Sequence, residues 1–200
     1  MDARDLFLDQ HTAVHSLAVG GNKASAAERV FGVTDEQMRL RPREDLNSLA
    51  WIMWHIARSE DIMINTALGG KAQVIDDGWL GRLKVGRRDM GTGMTSAEVT
   101  ELTRQVDVAA LREYRDAVGR RTRDVVGTFT AKDWEGQLAP DHLQQAAAQG
   151  DFGPRAEMLV KAFTGRPRTG VLSGLALFHS FQHLGEAATV RSAGGFGTGI

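Results

Sequence analysis

Apolar residues recur at helical spacing in four long stretches of this chain, separated by polar or glycine-rich segments. The first runs from Ala3 to Phe31, with Leu6, Ala13, Val14, Leu17, Ala24 and Phe31 on one side, the period of an amphipathic helix. Gly20-Gly21 lies inside it and weakens helix propensity by about 1 kcal/mol per glycine, so a bend or a close helix contact is expected there. Gly32 fits the position just past the helix end. Thr34 to Gln37 reads as a capping box opening a short turn, which Arg41-Pro42 ends. The second stretch starts at the N-cap candidates Asn47-Ser48 and ends at Gly69-Gly70. Its stripe reads Leu49, Ile52, His55, Ile56, Ser59, Met63 and Ala67.

A third helix is predicted from the capping box Thr95–Glu98 to Phe129, with Val99, Leu102, Val106, Ala110, Val118, Val125 and Phe129 inward. Its arginines, Arg112, Arg115, Arg120, Arg121 and Arg123, read as a solvated outer face. The last long helix spans Val171 to Val190. Between the second and third, Lys71 to Met94 is a long connection anchored by Trp79, Leu80 and Leu83, either a cover over a pocket or a surface excursion. Segments 141–149 and 155–163 are predicted short helices before the last one. The four prolines all fall between these periodic segments, and hairpin signals are nearly absent. The pattern predicts an all-α, four-helix-bundle architecture in a single domain over 1–200, with a glycine-rich tail over 194–200 expected to be flexible.

Composition changes this picture mainly by exclusion. A net charge of -1 with no long run of one sign gives no electrostatic footprint for nucleic acid. No apolar run approaches the length of a membrane span. The charged N-terminus lacks the apolar core of a signal peptide, so the cytoplasm is the expected compartment. The chain has no cysteine, so a metal must be held by imidazole, carboxylate or backbone oxygen, and any thiol chemistry must use a thiol from outside.

The candidate chemistry lies in the histidines. In the last helix Leu172, Leu175, Ala176, His179, His183, Ala187 and Val190 share a face, so His179 and His183 project side by side into the bundle. Six histidines in the chain give roughly 0.2 such pairs by chance, and His11/His15 is another at the same spacing, so the pair alone is weak evidence. His55, on the inward face of the second helix, adds a third nitrogen. Two helices would then offer three neutral imidazoles to one metal and leave at least one coordination position open, the pattern of a catalytic site. Imidazoles suit zinc, nickel, copper or iron. His11 and His15 lie on the flank of the first stripe, and His142 sits in a polar segment expected to face solvent. Glu60 and Trp51 or Trp54 are expected within reach of the pocket without ligating, with Glu60 as a surface helix residue the equal alternative.

These residues carry a resemblance. The stretch from Trp51 to Asp61 (Trp51-Ile52-Met53-Trp54-His55-Ile56-Ala57-Arg58-Ser59-Glu60-Asp61) and the stretch from His179 to Glu186, with the helix order and the connection containing Gly78-Trp79, resemble the DinB superfamily, whose members include bacillithiol- and mycothiol-dependent transferases. The resemblance covers nearly the whole chain. It implies a four-helix bundle with a metal triad of His55, His179 and His183 holding zinc or nickel, and a homodimer. It further implies a low-molecular-weight thiol, such as mycothiol or bacillithiol, used against a small electrophile. Where the family motif commonly continues with Arg-Gly-Gln, this chain has Leu184-Gly185-Glu186, which alters the polar surroundings and leaves the triad intact. Three readings follow: a metal-dependent thiol S-transferase or isomerase, a metal-dependent hydrolase that uses water, and a non-catalytic stress-response binding protein.

Overall fold

The structure, a computed structural model, describes residues 2–21 and 23–200. Helices α1 (Ala3–Val14), α2 (Ala26–Phe31) and α3 (Asp35–Arg39) come first. Helix α4 (Leu49–Glu60) continues without a break into a π-helical segment, Asp61–Leu68. The connection that follows holds α5 (Asp77–Leu83), and then come α6 (Ser96–Gln105) and α7 (Val108–Gly127). Short helices α8 (Ala131–Glu135), α9 (Pro140–Ala148) and α10 (Ala156–Phe163) precede the last long element. That element runs through α11 (Arg168–Leu172), a π-helical segment Ser173–Phe178, and α12 (His179–Ala193). Among the described residues the only sheet-like pairing is an isolated bridge between Gln137 and Pro167. None of the described helices is long and apolar enough to cross a membrane.

The expected first helix is three pieces: α1, a 3-10 turn at Leu17–Val19, and α2. Gly20 and Gly21 take φ +109° and +119°, values a helix cannot contain, and a Cβ on Gly21 would lie 2.5 Å from Thr12 Cγ2. The chain turns there, and Ser25 opens α2 with a full capping box. Gly32, at the end of α2, keeps φ -75° and so does not make the left-handed stop. The expected third helix is also divided. Val106 leaves helical geometry and Asp107 caps α7, accepting from Ala110 N at 3.1 Å, while its own N–H donates to Leu83 O at 2.9 Å. The capping boxes at Thr34 and Thr95 are present as expected.

Two apolar clusters fill the bundle, and each long helix contributes to both. Val14 of α1, Leu49–Ala57 of α4, Leu111, Tyr114 and Val118 of α7, and Leu184, Ala187 and Val190 of α12 belong to one. Phe7, Ile62–Ile64, Leu68, Val126, Leu172 and Ala176 belong to the other. Between them, on the same helices, lies a band of buried polar residues: His11, Arg58 to Asp61, Thr122 and Ser180. The histidines His179 and His183 sit in the same interval of their helix, between Leu177 and Leu184. Polar groups removed from water this way must find partners inside.

Of the five α7 arginines expected on a solvated face, Arg120 is exposed as expected and the other four are not free in solvent. Arg112 donates to Phe31 O at 2.8 Å, Arg121 to Ala72 O at 3.2 Å and Arg123 to Leu8 O at 2.8 Å, while Arg115 is buried and donates to His15 O. Their heads reach carbonyl oxygens of neighbouring elements. The C-terminal segment is held in a similar way, with Arg191 donating to Gly197 O at 3.1 Å and Phe196 packed against the first cluster.

Candidate metal centre

The face of α4 carries His55 towards α12, and the first turn of α12 carries His179 and His183 towards α4. Their ring centroids are 5.0 Å (His55–His179), 4.7 Å (His55–His183) and 4.5 Å (His179–His183) apart. One ligating nitrogen from each lies within 4.8 Å of the others. His55 Nε2 and His179 Nε2 are 3.1 Å apart. Two nitrogens at roughly 2.0–2.1 Å from a shared tetrahedral ion would stand about 3.3 Å apart. The three sequence-predicted residues are therefore brought together.

The surroundings orient the rings. His55 Nδ1 lies 2.6 Å from Met90 O. A carbonyl only accepts, so Nδ1 carries the hydrogen and Nε2 is a free lone pair. His183 Nδ1 lies 2.6 Å from Glu186 Oε2, and the carboxylate imposes the same tautomer. Glu186 is itself held by Asn47 Nδ2, which donates to Oε1 at 2.8 Å. Burial pushes the Glu186 carboxyl up, but the bonds from His183 and Asn47 outweigh it and hold the group below the ordinary value. Trp51 stacks on His55 with centroids 4.9 Å apart and planes at 8°.

Burial sets the charge state. It lowers the His55 imidazole to about 4, against a partial upward pull from the bond to Met90. It lowers His179 to about 3, helped by the two neighbouring imidazoles. Both rings are neutral at pH 7, the form that binds metal without first losing a proton. His179 Nδ1 is buried with no hydrogen-bond partner among the described residues. Three imidazole nitrogens around one point, two with their outer N–H groups anchored, fit a divalent cation of the imidazole-loving type.

The long connection forms a wall of this site. Met90 O holds His55, and Met94 Sδ accepts from Trp51 Nε1 at 3.1 Å. Its position is fixed by the polar band beneath it. Asp61 accepts five hydrogen bonds: from Asn65 Nδ2 (2.9 Å) and Val74 N (2.8 Å) on Oδ1, and from Arg58 Nη1 (2.9 Å), Tyr114 Oη (2.7 Å) and Ile75 N (3.1 Å) on Oδ2. Arg58 also holds Arg88 O and Gln73 Oε1, and Met90 N donates to Asp151 O at 3.0 Å.

Some expected neighbours lie elsewhere. Glu60 is buried with its carboxylate on His11 Nε2 at 3.0 Å, and it is neither a surface residue nor engaged with the triad. His11 and His15 are fully buried and not on a flank. His142 is on α9, half-buried, with Nδ1 3.2 Å from Ala67 O. It lines a cavity of about 550 Å³ with Thr66, Lys71, Gln73 and Arg88, none of them a triad residue. Sequence reasoning missed Asn47, the Met90 carbonyl and the role of Glu186. Only Glu186 left a signal, three residues after His183 and so within one helical turn.

Residues 22–187 match the family model of the DinB superfamily. A crystal structure described as the conserved protein of locus from Enterococcus faecalis is similar in fold. It gives a TM-score of 0.66 at 17% identity, covering 96% of this chain and 97% of that one. A search of curated proteins gives no match.

Proposed function

The chain belongs to the DinB superfamily, and from that premise we propose that His55, His179 and His183 hold one zinc or nickel ion and that the protein is a metal-dependent thiol S-transferase or isomerase acting on small electrophiles. The observation that carries this reading is the convergence of three imidazoles, with the Nδ1 groups of His55 and His183 tied to Met90 O and Glu186. As a Lewis acid, the ion would lower the pKa of a thiol or water brought to it. The chain's own residues prepare the place. Met90 O and the Glu186–Asn47 pair fix which nitrogen of each ring points inward, and Trp51 packs one face of His55. The absence of cysteine from the chain requires the nucleophilic thiol to come from outside, and a low-molecular-weight thiol such as mycothiol or bacillithiol meets that requirement. The same reading takes the protein as cytoplasmic and homodimeric.

The test is conjugation of 1-chloro-2,4-dinitrobenzene by the zinc- or nickel-loaded protein with and without added thiol. Thiol-dependent turnover that disappears in His183→Ala supports the proposal. Ester hydrolysis in water alone, lost in the same variant, would replace it with a hydrolase. Neither activity in a protein that holds the ion would leave a binding protein.

A further inference from the structure

The polar band holds a second cluster on the far side of α4. His11 and His15 of the first helical segment face Glu60 of α4, with side-chain exposures of 0%, 1% and 2%. One ligating atom from each lies within 4.8 Å of the others. His15 Nδ1 lies 3.1 Å from Ser16 Oγ, and that hydroxyl donates its own hydrogen to Asp116 Oδ1 at 2.7 Å. Ser16 Oγ can then only accept from His15, so Nδ1 carries the ring hydrogen and Nε2 is a lone pair. That lone pair has no hydrogen-bond partner among the described residues and faces Glu60 Oε2 at 3.8 Å. Two acceptors turned towards each other in a dry interior repel unless something positive lies between them. A proton is disfavoured, because burial and the neighbouring Arg115 hold the His15 imidazole well below its ordinary range.

We propose that His11, His15 and Glu60 form a second divalent-cation site, an imidazole–imidazole–carboxylate set that pins the first helix to α4. The donor set suits zinc and its neighbours. The Ser16–Asp116 relay orients His15 as Glu186 orients His183, the arrangement expected behind a ligating imidazole. Arg115, Arg120 and Arg123 set positive charge against the site, and Glu60, Asp116 and Glu28 act on the Arg115 guanidinium as counter-charges. Burial closes the site to substrates, so its role is structural and separate from the triad.

The test is metal uptake by the full chain, chelated and then dialysed against zinc alone, with circular dichroism to check folding. Wild type should hold two ions per chain, one for each cluster. His179→Ala/His183→Ala should keep one, and adding chelator should lower its melting midpoint. Glu60→Gln, which preserves size, should lose the second ion or bind it at least about 10-fold more weakly, as when a carboxylate ligand is neutralised. A folded His179→Ala/His183→Ala protein without an ion overturns the proposal, since the neighbouring arginines would then be the compensating charge. If that variant does not fold, a single wild-type ion that Glu60→Gln retains overturns it equally. A single wild-type ion lost in Glu60→Gln but kept in the double variant supports this site and contradicts the triad.

Discussion

Replacing Asp61 with Asn tests whether the buried polar band sets the shape of the site above it. The carboxylate is fully buried and accepts from five donors, two on one oxygen and three on the other. An amide of the same size has one accepting oxygen and an NH₂ group. Whichever way it turns, the NH₂ meets the Asn65 and Val74 donors or the Arg58, Tyr114 and Ile75 donors. Arg58 would lose the charge of its nearest carboxylate, at 2.9 Å, and breaking a buried pair from one side costs about 3–5 kcal/mol. Each buried donor left without a partner costs about 1–3 kcal/mol; because these overlap with the lost pair, we expect about 3–5 kcal/mol in all. For a chain of this length that lowers the melting midpoint by roughly 6–20 °C. Urea denaturation of both proteins, with equal slopes, measures it directly. A loss under about 1 kcal/mol would refute the reasoning, because it would mean that the carboxylate is not the common acceptor. The variant should also bind the triad ion more weakly, since Val74 and Ile75 dock the connection whose Met90 carbonyl holds His55.

Three further outcomes are expected. Glu186→Gln should keep the fold and lower triad metal affinity about 10- to 100-fold, the usual cost of losing an orienting carboxylate, measured by competition with a chromogenic chelator. In the chelated protein, stability should fall as pH drops from about 6.5 towards 4 and 3. The unfolded chain takes up protons on His55 and His179 near the ordinary histidine value while the folded rings resist until about 4 and about 3, and a chelated His55→Ala/His179→Ala protein should show a shallower fall over that window. Gly119→Ala should destabilise by about 1–3 kcal/mol, because a Cβ there would lie 2.5 Å from His15 Cε1 and Nε2; thermal melts would show it, and an unchanged midpoint would contradict the close packing of His15 on α7.

The sequence made the long helices and the inward placement of His55, His179 and His183 legible, because each histidine continues an apolar period. It did not show why those positions are polar. Two apolar clusters meet along the same helices, and the residues at their junction share the face of their neighbours whatever their chemistry. Glu60 looked like an exposed helix residue because periodicity cannot distinguish a buried carboxylate from a solvated one, and its partners His11 and His15 lie about fifty residues away. The arginines of α7 misled for the same reason: side-chain length lets Arg112 and Arg123 reach carbonyls on other elements. The breaks at Gly20-Gly21 and Asp107 were signalled by glycine and by a capping residue, but a continuous apolar stripe on either side masked both. The two π-helical segments, Asp61–Leu68 and Ser173–Phe178, adjoin the polar residues of their helices, and nothing in the residue pattern announces them.

The central claim is that one ion sits on the Nε2 atoms of His55, His179 and His183. Anomalous diffraction from a crystal grown with zinc or nickel, collected on either side of that metal's absorption edge, tests it most directly. An edge-dependent peak is expected roughly 2.0–2.1 Å from all three nitrogens, absent from His183→Ala crystals. A well-ordered triad with no such peak, in a crystal where the metal is found elsewhere, would contradict it.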